Sequence, residues 1–259
     1  LWVWPILLIA IFFIVNFIIT NRQATHPIVH FHTLFSKKPF VGATMAISSH
    51  LTLLTGIAGI NVYIVRILKL PFDISLHFYF FFFVGVIITG ILKMFFYSSV
   101  GAGFLGTLGS SALLYVSIHW IILGNTINIP LLYIQGLLLG FGASMTLVSG
   151  SMATLLDGDL KEAAQRSQTM HTIRNFSAAM LIPIIAYTIK NHIQKGTQSI
   201  YAENITDKMI YLKKLQDVAI DADHQIFLLM IIFNMVMFVS SIIQMILGKG
   251  RRITPPRES

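Results

Sequence analysis

The sequence contains no cysteine, which excludes disulfide staples, thiolate metal sites and a cysteine nucleophile. It is also poor in charge: 11% of its 259 residues are Asp, Glu, Lys or Arg, against 55% hydrophobic. An ordinary soluble domain carries roughly 25% charged residues. With a mean hydropathy of +0.77, this much apolar surface cannot be hidden in one water-soluble core. The chain opens at Leu1 without a basic n-region or a small-residue cleavage site, so its first apolar stretch reads as a span entered midway and the chain as a fragment of a longer polypeptide. There is no Walker loop, no Ser/His/Asp set and no pair of buried carboxylates, so nothing points to an enzyme or to a cofactor. The net charge of +8 forms no dense basic stripe, which removes the nucleic-acid reading.

What is present is a series of apolar runs. A hydrocarbon slab about 30 Å thick needs roughly 20 residues of helix. The first run is Leu1 to Thr20, with Trp2 and Trp4 placed like interfacial anchors, followed by a polar connector from Asn21 to Pro39. Phe40 to Val65 is the second and Ile74 to Leu92 the third. Met94 to Leu156 holds no charge at all and is too long for one crossing, so it must fold back. Reversals are expected near Ser98–Gly101 and at Gly124–Pro130, giving a fourth span that ends near Ile122 and a fifth from Leu131 to Leu155. Asp157-Gly158-Asp159-Leu160-Lys161-Glu162 has the character of a helix start, with an Asp at the N-cap and Glu three residues later, much as in a capping box. The sixth span is Gln168 to Ile189, with a kink expected at Pro183, and the seventh is Gln225 to Leu247.

The fold class expected is therefore all-α integral membrane with seven transmembrane helices. Its parts are a linker helix (1–20), a connector (21–39), a six-helix domain (40–248) with an extracytoplasmic loop (190–224), and a tail (249–259). Within that loop Tyr201, Ile205, Met209, Leu212 and Leu215 would form one apolar stripe on a short surface helix. Eleven of the 18 basic residues fall on the side of the C-terminus, which places that end in the cytoplasm of a cell (inner) membrane and Leu1 outside.

Few residues stand out chemically. His26, His30 and His32 cluster in the connector, but no carboxylate or cysteine there completes a metal shell, and a solvated loop is the simpler reading. His50 lies inside an uncharged span, where an imidazole titrating near neutral pH either couples to protons or bonds a neighbouring helix. His119 beside Trp120 reads as an interfacial anchor. Gly136 and Gly140 form a small-xxx-small pair that lets two helices approach closely. Tyr133 and Gln135 on the same helix could line a pathway or bond a neighbour. Arg174 would snorkel to the cytoplasmic face or pair with Asp157 or Asp159 as a latch. Asp157-Gly158-Asp159 lacks the spaced carboxylates of a calcium loop, and Asn204-Ile205-Thr206 is a glycosylation sequon on the outer face.

His26-Pro27-Ile28-Val29 followed by Leu34-Phe35-Ser36-Lys37-Lys38-Pro39-Phe40 resembles the connector that leads into the C-terminal six-helix domain of fourteen-helix drug:proton antiporters of the major facilitator superfamily. Tyr133-Ile134-Gln135-Gly136 with Gly140, and Lys161 to Ser167 with Arg174, are similar to further blocks of that family in matching order. The resemblance covers most of the chain and implies the C-terminal half of a proton-coupled efflux transporter for small amphipathic or toxic compounds. The N-terminal half would be a missing partner, alongside membrane lipid and protons. It also implies that the second and fifth spans border a central cavity, lined by His50, Thr52, Thr55, Asn61, Tyr133, Gln135 and Ser144. The family's proton-coupling acid belongs to the half this chain lacks. His171 stands where the family commonly has Asn, and the basic loop between the second and third domain helices is nearly absent. Two other classes remain as alternatives, a seven-helix receptor and an integral membrane enzyme acting on lipid. The enzyme would require two or more of His50, His77, His119 and His171 to converge.

Overall fold

In the computed structural model the residues described are 12–13, 15–21, 23–24, 29–157, 160–202 and 207–248, and they are almost entirely helical. Trp2, Trp4, His26, Asp159, the sequon at Asn204 and the tail from Lys249 lie outside them. Part of the first run is helical up to Asn21, whose side-chain amide donates to the carbonyl of Val29 at 2.7 Å and accepts from its N–H at 3.0 Å, fixing where the connector leaves.

After a helical turn at Phe31–Leu34, five helices are long and apolar enough to cross a membrane. They are α1 (Lys37–Asn61, prolonged by a π-helical segment Val62–Ile67), α2 (Phe72–Trp120), α3 (Ile129–Leu156), α4 (Ala163–Ala202) and α5 (Lys208–Ile246). Lys69, in the left-handed region at φ 51°, and Pro71 stop the first. Asn128 caps α3, its side chain accepting from Leu131 N–H, with Pro130 in the first turn, as the reversal signal at 124–130 implies. Asp207 caps α5 by accepting from Met209 N–H at 2.7 Å.

A straight α2 of 49 residues would measure about 74 Å at 1.5 Å per residue, more than twice the slab. It is not straight. Gly101 at φ 82°, ψ 169° interrupts it, a conformation only glycine adopts readily. The rings of Phe78 and Trp120, which a continuous helix would hold about 63 Å apart, lie 6.4 Å from each other. The two limbs, 72–100 and 102–120, therefore double back, and the reversal expected near Ser98–Gly101 is found there.

The described residues thus make six crossings between a lower end (Lys37, Gly101, Leu156, Ala163, Ile246) and an upper end (Ile67, Phe72, Trp120, Ile129, Ala202, Lys208). At the upper end Trp120 Nε1 donates to Gln135 Oε1 at 2.8 Å, and His224 Nε2 lies 2.8 Å from the Leu123 carbonyl. At the lower end Gln244 Nε2 donates to Asp157 Oδ2 at 2.9 Å, and the His30 N–H to Thr169 Oγ1 at 3.0 Å.

Backbones approach closely where glycines allow it. A Cβ on Gly140 would sit 2.0 Å from the Phe82 carbonyl oxygen, one on Gly85 2.1 Å from that of Leu137, and one on Gly103 2.2 Å from the Met245 nitrogen. The Gly136–Gly140 pair thus seats α3 against the first limb of α2. At this seam and toward the upper end Tyr63, Phe78, Trp120, Leu132, Leu139 and Phe227 belong to the main buried cluster.

One expectation is corrected. The charged stretch 190–224, expected as a loop with one short surface helix, is instead the ends of two long helices over its described residues: 190–202 continues α4 and 208–224 begins α5, with Gly196 packed against Val218. No separate surface helix carries the apolar stripe, because Tyr201 belongs to α4 and Met209, Leu212 and Leu215 to α5, while Ile205 lies outside the described residues. At 40 and 39 residues, about 60 Å each, α4 and α5 extend well beyond a bilayer as a helical hairpin.

Candidate functional site

The buried face of α5 runs Asp223, Phe227, Met230, Asn234, Met237, Ser241, Gln244, alternating steps of four and three. Four of these seven are polar and all are buried, so the last helix presents a polar seam to the bundle interior. Asn234 Nδ2 reaches Ser117 Oγ at 3.4 Å while its Oδ1 finds no partner, and Ser241 donates to Met237 O at 2.8 Å. Across the interior the hydroxyls of Ser49 on α1 and Thr146 on α3 bond at 2.6 Å.

The pathway residues expected from sequence do not form one surface. Thr52, Thr55 and Gln135 are buried inside the bundle. Thr55 bonds back to the Leu51 and Thr52 carbonyls at 2.8 and 2.9 Å, whereas the Thr52 hydroxyl and Gln135 Nε2 find no partner. Asn61 accepts from Tyr79 OH at 2.8 Å near the upper end, where Tyr133 stacks on Phe81 with centroids 5.4 Å apart. Ser144 offers its carbonyl to Lys93 Nζ at 2.5 Å, half-burying the single cation of α2.

His50 lies on another face, toward α4. Below it Met170 packs with Ala43 and Ala46, and above it Leu181 and Ile185 pack with Leu51, Leu54 and Ala58. Helical register then places Arg174 level with His50, and its charge acts on both His50 and His171. Sequence reasoning had no reason to link His50 with Arg174, because 124 positions separate them and only the docking of α4 on α1 sets them near each other. His77 instead sits on Asp73 and Tyr133, and His119 stacks on Tyr115. Among the described residues no group of three or more His, Cys, Asp or Glu side chains could hold a metal ion; the His30 and His32 rings are 6.2 Å apart.

Of the latch expected at the lower end, Asp159 lies outside the described residues. Arg174 is in no ion pair among the described residues and its Nε is buried without an acceptor. Arg166, only 1% exposed, takes the structural role: its Nε donates to the Thr154 carbonyl at 3.0 Å, its Nη2 to that of Leu155 at 2.9 Å, and Nη1 lies 3.7 Å from Glu162. Two charge-assisted bonds thereby satisfy carbonyls that the end of α3 leaves open. The signal was present in the sequence, since basic side chains gather near such ends.

Sequence reasoning also missed Asp223. Its carboxyl group is 1% exposed, neither oxygen has a hydrogen-bond donor, and Tyr63 is its electrostatic neighbour. The spacing of Asp223, Asn234, Ser241 and Gln244 on one helical face could have revealed the seam. Comparison of the chain with protein-family models and with curated proteins finds no match to either.

Proposed function

We propose that the chain is the C-terminal half of a secondary active transporter of the major facilitator type. It would export small amphipathic or toxic compounds against a proton gradient by alternating access, in which one bundle rocks against the other around a midplane site. The supporting observation is the character of α4. It has the lowest mean hydropathy of the five long helices and is also the least covered, with 11% of its most apolar window buried against 28% for the next.

A helix facing lipid should be the most apolar of a bundle, not the least. Arg174, His171 and Asn175 on a poorly covered helix call for a polar cover, namely a water-filled cavity closed by a second, upstream half. The partners are then that half, membrane lipid, protons and the transported compound, with the C-terminus cytoplasmic and no enzymatic step. The wall this chain supplies is the α1–α4 face around His50 rather than the buried Thr52, Thr55 and Gln135.

The test is proton-driven uptake of an amphipathic fluorescent dye into everted vesicles carrying the full-length protein. Uptake that collapses with the gradient is expected; uptake indifferent to a protonophore would contradict the reading.

A further inference from the structure

We propose that the cleft between α1 and α4 binds an amphipathic anion, its charged head on Arg174 and its tail in the apolar cavity above. The two parts lie on continuous faces. Along α1 the residues 47, 50, 51, 54 and 58 share one side of the helix, and along α4 the residues 170, 174, 181 and 185 share another, by helical period. The packing of Met170 on Ala43 and Ala46, and of Leu181 and Ile185 on Leu51, Leu54 and Ala58, sets these two sides against each other.

Between the two packed levels sits a cation with no acidic partner among the described residues. Arg174 is half-buried, its Nε is fully buried without an acceptor, and the side chains whose electrostatic interaction with it is resolved are His50 and His171, which supply no negative charge. A guanidinium with a buried, unused Nε donor beside an apolar cleft recognises an oxyanion, because such bonds are charge-assisted. About two turns higher the cleft opens into a cavity of about 240 Å³ lined by Leu54, Ile57, Ala58, Leu181, Ile182 and Ile185, almost wholly apolar. An apolar pocket with one placed charge is the usual design of a small-molecule site, and here it selects a carboxylate, sulfonate or phosphate carrying a short alkyl or aryl tail. The proposal deepens the transporter reading, on which it rests, by naming the substrate class of its α1–α4 wall.

Equilibrium binding of dansyl-undecanoate to the full-length protein in phosphatidylcholine nanodiscs tests the inference. Decanoate should displace the probe and decyltrimethylammonium should not. R174Q should weaken binding at least tenfold, R174K less than threefold, and K195Q, an exposed cation at the upper end, not at all. L181W, which fills the cavity, should abolish tail-dependent binding while the thermal midpoint is kept. Adding phosphatidylglycerol separates two sources of the same chemistry: competition identifies a bilayer lipid, and its absence a soluble amphiphile. Equal binding by wild type and R174Q, or displacement by the cationic amphiphile, would overturn the proposal. Proton-driven dye uptake is read separately, so loss of this site is distinguishable from loss of transport.

Discussion

Two buried ionisable side chains behave oppositely at the residue scale. Arg166 is fully used, and R166Q, which leaves the end of α3 without two charge-assisted bonds, should cost about 3 kcal/mol, seen as a lower thermal midpoint in detergent. R166K, able to restore one bond, should fall between. Asp223 is the reverse case, since both its oxygens lack donors and burial of a polar group without partners is unfavourable. D223L should therefore fold and melt at or above the wild-type temperature; a large drop would mean that the carboxyl group has a stabilising partner. His50 was legible in sequence because a titratable residue interrupts an uncharged run. The placing of Arg174 level with His50 was not, because it depends on which helix α4 docks against, and a latch to Asp157 was locally just as reasonable.

At the scale of the helices, glycine placement decides packing. G140A would thrust a methyl group into the Phe82 carbonyl, where backbone cannot yield cheaply, and should cost roughly 3 kcal/mol. G90A, with nothing within 4 Å of the added carbon, should instead raise stability by about 0.5–1 kcal/mol through helix propensity. Thermal melts of the two variants side by side check both. Span positions were readable from hydropathy since lipid demands long uncharged runs, and the turns at Gly101 and 124–130 were readable from glycine, asparagine and proline. The α4–α5 hairpin was not, because charged residues exclude a stretch from the membrane without excluding it from a helix. The interaction that keeps 190–202 and 208–224 ordered is their mutual packing, as at Gly196 and Val218.

For the molecule as a whole, the six crossings form a bundle with its aromatic core toward one end and one helix out of keeping with its surroundings. A self-contained receptor or enzyme should bury its polar groups within its own core. This chain leaves Arg174, His171 and Asn175 on its least covered helix, and that asymmetry is the reason for reading it as half of a moving pair. The absence of cysteine makes the most direct measurement simple, since these 259 residues need no background substitutions. Replace Asn175 by cysteine in the full-length protein, cleared of any upstream cysteines, and follow its reaction with a membrane-impermeant maleimide from each side of sealed vesicles while the proton gradient is reversed. Alternating access predicts labelling from one side under one gradient and from the opposite side under the other. Labelling from a single side under both gradients, or from neither, would contradict it.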